Sequence, residues 1–152
     1  MSRNIRIIPD YPDLETASSE IAAEEYDILI LPGGAPGAKT FCSRPDVLSL
    51  ISSFRGEGKW VAAICAATTA LVAAESTEEQ GKKKVTSHPS VKKEVEQAGW
   101  EYSEERIVVD GKVITSRGPG TAILFALRIV EELCGKEKRN EVEGPMVCAE
   151  TL

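Results

Sequence analysis

The stretch Trp60-Val61-Ala62-Ala63-Ile64-Cys65-Ala66-Ala67-Thr68-Thr69-Ala70-Leu71 decides the fold. Trp60 to Ile64 is an unbroken apolar run, the pattern of a strand buried on both faces in a parallel sheet. Ala66 to Ala74 is helix-prone, so Cys65 falls where a strand passes directly into a helix. Upstream, Tyr26-Asp27-Ile28-Leu29-Ile30-Leu31 is a second near-continuous run, ending at Pro32-Gly33-Gly34, and it too reads as a strand buried on both faces. Asp46 to Phe54 reads as a helix, with Pro45 near its first turn and Gly56 and Gly58 after it. Asn4 to Ile8 is a short strand pattern stopped by Pro9 and Pro12, and Thr16 to Glu25 is weakly helical.

Downstream, Ser76 to Lys84 is polar and reads as a surface loop, Val85-Thr86-Ser87 as a short strand. Pro89 opens a helix to about Ala98 that Gly99 caps. Ile107-Val108-Val109 and Lys112-Val113-Ile114-Thr115 flank Asp110-Gly111, a type I′ hairpin signal. Gly118-Pro119-Gly120-Thr121 leads into Ala122 to Cys134, which has apolar residues on every side and is expected to be well buried. Glu137 to Leu152 holds one short helical segment and a Gly-Pro break. Strands alternating with helices predict an α/β sandwich with a mostly parallel sheet, as one domain over 1–152. In such sheets sites lie at the carboxyl ends of strands. Three sharp turns fall there: Pro32-Gly33-Gly34, Ile64-Cys65-Ala66 and Ser116-Arg117-Gly118-Pro119-Gly120.

Composition narrows the function classes. The chain has 152 residues, 18 Lys plus Arg against 24 Asp plus Glu, and a formal net charge of −6. That balance argues against a nucleic-acid or anionic-membrane partner. With 42% hydrophobic and 28% charged residues the chain reads as soluble and globular. No run approaches the roughly 20 apolar residues of a membrane span, and Met1 to Arg6 is not followed by the apolar core of a signal peptide. These readings predict an intracellular protein, cytoplasmic with nuclear or mitochondrial placement as alternatives. Cys42, Cys65, Cys134 and Cys148 are widely spaced, so reduced thiols are expected. His88 is the one histidine, and no zinc-ligand cluster surrounds it.

Cys65 at a strand-to-helix elbow has the placement that exposes a nucleophile above a sheet. The N–H groups and positive dipole end of the following helix would favour a thiolate. A cysteine beside Ile64 also reads as a small buried hydrophobe, and the pattern leaves both open. Gly33 and Gly34 permit close backbone approach, and their N–H groups, with that of Ala66, would suit an oxyanion hole; a plain turn is the simpler alternative. His88, 23 residues after Cys65, is the one conventional partner for a Cys–His dyad, though a histidine before proline is also a common turn residue. Gly118-Pro119-Gly120 lacks the spacing and lysine of a phosphate-binding loop. Cys134 reads as structural within its apolar helix, Cys42 and Cys148 as residents of surface segments.

Taken in order, Leu31-Pro32-Gly33-Gly34 with Gly37-Ala38, Ala62-Ala63-Ile64-Cys65-Ala66, Ser87-His88-Pro89 and Thr115-Ser116-Arg117-Gly118-Pro119-Gly120-Thr121 closely resemble the DJ-1 branch of the DJ-1/PfpI superfamily. Asp110-Gly111 and Gly135-Lys136-Glu137 fall in the matching order, and the resemblance runs over essentially the whole chain. It implies a flavodoxin-like three-layer α/β sandwich. It also implies a reactive Cys65 with His88 nearby as a proton shuttle, and oxyanion-hole amides from Gly34 and Ala66. Gly33, Arg3, Arg117 and Pro119 would line the site, with Arg3 near a homodimer interface. A C-terminal helix from Lys136 onward would partly cover the cysteine.

The implied activity is glutathione-independent conversion of methylglyoxal, a small α-oxoaldehyde, to lactate. This is a glyoxalase III-type reaction without metal or organic cofactor, alongside deglycation of early glycation adducts. The alternative within the resemblance is a non-enzymatic cysteine redox sensor or chaperone. Glutamine amidotransferases share the elbow but carry a late His-x-Glu, whereas His88 is followed by Pro89-Ser90. Two departures stand out. Cys65-Ala66-Ala67-Thr68 has Ala67 where relatives usually have glycine. Met1-Ser2-Arg3-Asn4 aligns with the family's interior, so the first strand, first helix and second strand have no counterpart. That missing part carries an acidic partner for the cysteine, and without it the chain is expected to be unstable or rearranged unless another chain completes the sheet.

Overall fold

Both long apolar runs form strands, and they lie side by side. The computed structural model describes residues 6–11, 13–14, 26–75 and 83–149. Its strands are β1 (Ile28–Leu31), β2 (Trp60–Ile64), β3 (Lys84–Val85), β4 (Glu101–Tyr102), β5 (Ile107–Asp110) and β6 (Val113–Ser116). Its helices are α1 (Ala35–Ser43), α2 (Pro45–Gly56), α3 (Thr68–Ala73), α4 (Lys92–Gln97), α5 (Ala122–Cys134) and α6 (Lys136–Glu143). The main sheet has the order β1-β2-β6-β5, parallel except for the antiparallel β5–β6 hairpin. β3 and β4 form a separate parallel pair.

Alternation along β2 produces the layers. Val61 and Ala63 point into the larger core with Ile51 and Phe54 of α2, Leu71 of α3, Val95 of α4, and Trp100. Trp60 and Ala62 point the other way, against Phe125 and Ile129 of α5. The sheet is thus sandwiched between helices, as expected for a strand whose two faces are both apolar.

Several expectations need correction. Ile30 in β1 is 46% exposed, so β1 is not buried on both faces. It is the edge of the described sheet, and α5 lies over β2 and β6. Helix α5 is likewise not enclosed: Phe125, Leu127 and Ile129 are buried, but Ile123 is 48% exposed. The hairpin turn falls one residue later than Asp110-Gly111, on Gly111-Lys112. Only Gly111 has a positive φ (60°), the sign pattern of a type II′ turn and not type I′.

The strand expected over 85–87 stops at Val85. Side chains replace the ladder beyond it: the Thr86 N–H donates to Thr115 Oγ1 at 2.9 Å, and Thr68 Oγ1 donates to the Thr86 carbonyl at 3.0 Å. The helix expected from Ala66 begins instead as a 3₁₀ turn, Cys65–Ala67, and becomes α3 at Thr68. Pro89–Val91 is also a 3₁₀ turn before α4, and Gly99, at φ 86°, follows that helix. Of the strand expected over 4–8, Arg6, Ile7 and Ile8 lie in no strand. Residues 4 and 5 and the helical reading of 16–25 fall outside the described residues.

Thr115, fully buried, links β6 to the segment entering His88. Thr115→Val keeps the shape but leaves the buried Thr86 N–H without its acceptor. Urea unfolding is expected to show a loss of about 1–3 kcal/mol; an unchanged midpoint would contradict this role.

Candidate active site

Cys65 has φ 66°, a left-handed conformation costly for any residue carrying a Cβ, on the order of 1–2 kcal/mol. It sits immediately after β2, whose last residue, Ile64, pairs with Ser116 of β6. Position and backbone conformation are those of a nucleophile elbow. The residue is half-buried, and among the described residues its Sγ takes part in no hydrogen bond.

The β1–α1 turn comes up against this elbow. A Cβ added at Gly33 would lie 2.8 Å from Cys65 Cβ and 3.1 Å from the Ile64 carbonyl oxygen. Only a residue without a side chain allows this approach. Gly34 follows at φ 111°, a conformation that glycine tolerates, and starts α1: its carbonyl accepts the Ala38 N–H at 2.9 Å. Ala66 is the second residue of the 3₁₀ turn, where the first N–H groups have no intrahelical acceptor.

His88 reaches the elbow through its backbone, its N–H donating to the Cys65 carbonyl at 3.2 Å. Its imidazole does not hydrogen-bond the thiol. Nδ1 lies 3.2 Å from the Ser90 N–H nitrogen and 2.8 Å from Ser90 Oγ. The Cδ2 side of the ring faces Gly118, where an added Cβ would meet it at 3.6 Å. All three turns expected at the strand ends therefore do converge.

The remaining candidates separate. Arg117 donates from Nη1 to the Glu104 carbonyl at 2.9 Å and pairs with its carboxylate at 2.6 Å. The Glu104 carboxyl is held below the ordinary carboxylate range, first by the hydrogen bond from Lys92, with the Arg117 charge adding to it. Pro119 is exposed in the 3₁₀ turn Pro119–Thr121, which Thr121 Oγ1 closes by accepting the Gly118 N–H at 3.1 Å. Arg3 lies outside the described residues. Helix α6 packs chiefly on α5, with Arg139 pairing Glu131.

All four thiols are free, but two are not where expected. Cys134 is exposed at the last position of α5. Cys42 and Cys148 are both half-buried, but Cys42 packs against the larger core, with its Sγ 3.4 Å from Thr69 Oγ1. Among the described residues no group of three or more His, Cys, Asp or Glu is placed to hold a metal, and no helix is long and apolar enough to cross a membrane. Sequence reading passed over Ser90, Thr68, Thr86 and Thr115, which anchor the His88 segment. The sequence carries no signal for them: the capping residue is His88, and histidine is not one of the usual helix caps.

Gly33→Ala is expected to destabilise the fold by about 1–3 kcal/mol through overpacking. In a Cys65→Gly background the same substitution should cost less, because the closest contact is gone while that to the Ile64 carbonyl remains. Denaturant melts of the four variants would contradict this packing if the two costs were equal.

Residues 2–132 match the DJ-1/PfpI family. The glutathione-independent glyoxalase DJ-1 of Schizosaccharomyces pombe is 37% identical over 143 residues, 93% of this chain and 73% of that protein. The Parkinson disease protein 7 homolog of Danio rerio is 42% identical over 152 residues, 96% of this chain and 74% of its own length. The crystal structure of Drosophila melanogaster DJ-1beta superposes with a TM-score of 0.87 at 39% identity, covering 97% of this chain and 75% of that one. With its elbow cysteine, its convergent turns and its mostly parallel sheet, the chain belongs to the DJ-1/PfpI family.

Proposed function

We propose that this protein is a DJ-1-type cysteine enzyme that converts methylglyoxal to lactate without glutathione, with Cys65 as nucleophile. The observation that carries the reading is the Cys65 backbone at φ 66°, held against Gly33 at the carboxyl end of β2. The glyoxalase name of the S. pombe relative supports it.

The chemistry balances with water as co-substrate. The Cys65 thiolate adds to the aldehyde carbon, forming a C–S bond and moving the carbonyl π pair onto oxygen. The Gly34 and Ala66 N–H groups are the donors suited to stabilise that oxyanion. A proton leaves the former aldehyde carbon and another is delivered to the neighbouring carbon through an enediol, with exchange through water. The product is a lactoyl thioester. Water then attacks the thioester carbonyl, the C–S bond breaks, and lactate and the free thiol return. Methylglyoxal plus water becomes lactate with no net oxidation, so the route needs no redox cofactor. The same addition to a carbonyl adduct would underlie deglycation. Homodimerisation, with Arg3 near the contact, belongs to the same proposal.

Methylglyoxal consumption by the wild type and by Cys65→Ala tests the reading. Loss of at least about 100-fold in turnover is expected. Equal turnover by both would overturn it. Peroxide oxidation confined to Cys65 with no turnover by the wild type would instead favour a redox sensor.

A further inference from the structure

We propose that Ser90 is a positioning residue that holds His88 as the Nε2–H tautomer, so that the imidazole serves Cys65 chemistry as a neutral hydrogen-bond donor and not as a general base. This deepens the glyoxalase reading and rests on it for its catalytic consequence; the tautomer itself does not.

The local chain dictates the arrangement. Pro89 disfavours helical backbone in the residue before it, and His88 is extended at φ −61°, ψ 138°. From there His88 caps the 3₁₀ turn Pro89–Val91, its side chain accepting from the Ser90 N–H at 3.2 Å. A backbone N–H is always a donor, so the Nδ1 it meets carries the lone pair. Ser90 Oγ lies 2.8 Å from the same nitrogen, so with the lone pair on Nδ1 its hydroxyl is a second donor to it. Together the two donors bias the neutral imidazole to the form with its proton on Nε2.

The other edge of the ring is turned the opposite way. Cδ2, bonded to Nε2, faces Gly118 at the end of β6, and His88 N–H is bonded to the Cys65 carbonyl. Nε2–H thus belongs to the side of the ring away from Ser90, without a lone pair to accept a proton. For His88 to act as a base it would have to protonate at Nδ1 and break the bond from Ser90 N–H. A neutral Nε2–H donor, by contrast, stabilises charge on a substrate oxygen without transferring its proton. The proton exchange at carbon is then carried by water.

His88 is the one histidine in the chain, so its ring nitrogens are unambiguous in ¹⁵N NMR. Long-range ¹H–¹⁵N spectra of the full chain, at a pH where the ring is neutral, are expected to show protonated Nε2 and unprotonated Nδ1. Ser90→Ala, which keeps the longer backbone contact but loses the 2.8 Å one, should raise the Nδ1–H population. It should also lower kcat for methylglyoxal about three- to tenfold with KM unchanged, and Ser90→Thr should restore both. An Nδ1–H tautomer in the wild type, or wild-type tautomer and kcat in Ser90→Ala, overturns the proposal. Equal turnover by Cys65→Ala sinks the glyoxalase reading instead, and the spectra still decide the tautomer.

Discussion

A non-glycine residue stays at φ 66° only when its surroundings hold it there from several directions, and Cys65 is held from three. Before it, β2 is paired in register on both sides, to β1 and to β6. Beside it, Gly33 presses close enough that no side chain fits between. After it, the Cys65 carbonyl takes the His88 N–H, and Thr68 of α3 donates to the Thr86 carbonyl. The elbow, the His88 segment and the first turn of α3 are therefore parts of one hydrogen-bonded assembly. Loosening any of them changes where the thiol stands.

That assembly is polar but buried. Thr68, Thr86, Ser87, Thr115 and Ser116 are fully buried beneath the strand ends, and Thr121 is buried beside them. Ser116 Oγ and Thr121 Oγ1 are 2.6 Å apart, and Tyr102 donates to the Ser87 carbonyl at 2.9 Å. The Thr68 and Thr115 hydroxyls take over bonds that a longer β3 would have supplied through its backbone, which lets the chain leave the sheet and bring His88 to Cys65. Buried hydrogen bonds of this kind specify one arrangement because leaving any of them unmade is costly.

The long apolar runs were readable as strands because burial on both faces leaves no polar interruption, and the elbow followed from Cys65 falling between β2 and a helix-prone run. Helix α1 was hidden by Pro36 and Gly37, which look like turn residues although Pro36 merely occupies a first turn. Strand β4 is two residues long, too short for any period to show. The exposure of Ile30 and Ile123 depends on which helix lies over which strand, and a linear pattern holds no record of that. The three convergent turns were legible at the site. The Ser90 contact was not, because which ring nitrogen a serine meets depends on a side-chain torsion.

Conversion of an α-oxoaldehyde at this elbow requires a covalent bond to one particular sulfur out of four. The most direct measurement is peptide-resolved mass spectrometry of protein quenched at intervals during methylglyoxal turnover. The account predicts an adduct of one methylglyoxal on the peptide bearing Cys65 that builds up during turnover and disappears as substrate is exhausted. Turnover without modification of Cys65, or adducts spread evenly over Cys42, Cys65, Cys134 and Cys148, would contradict it.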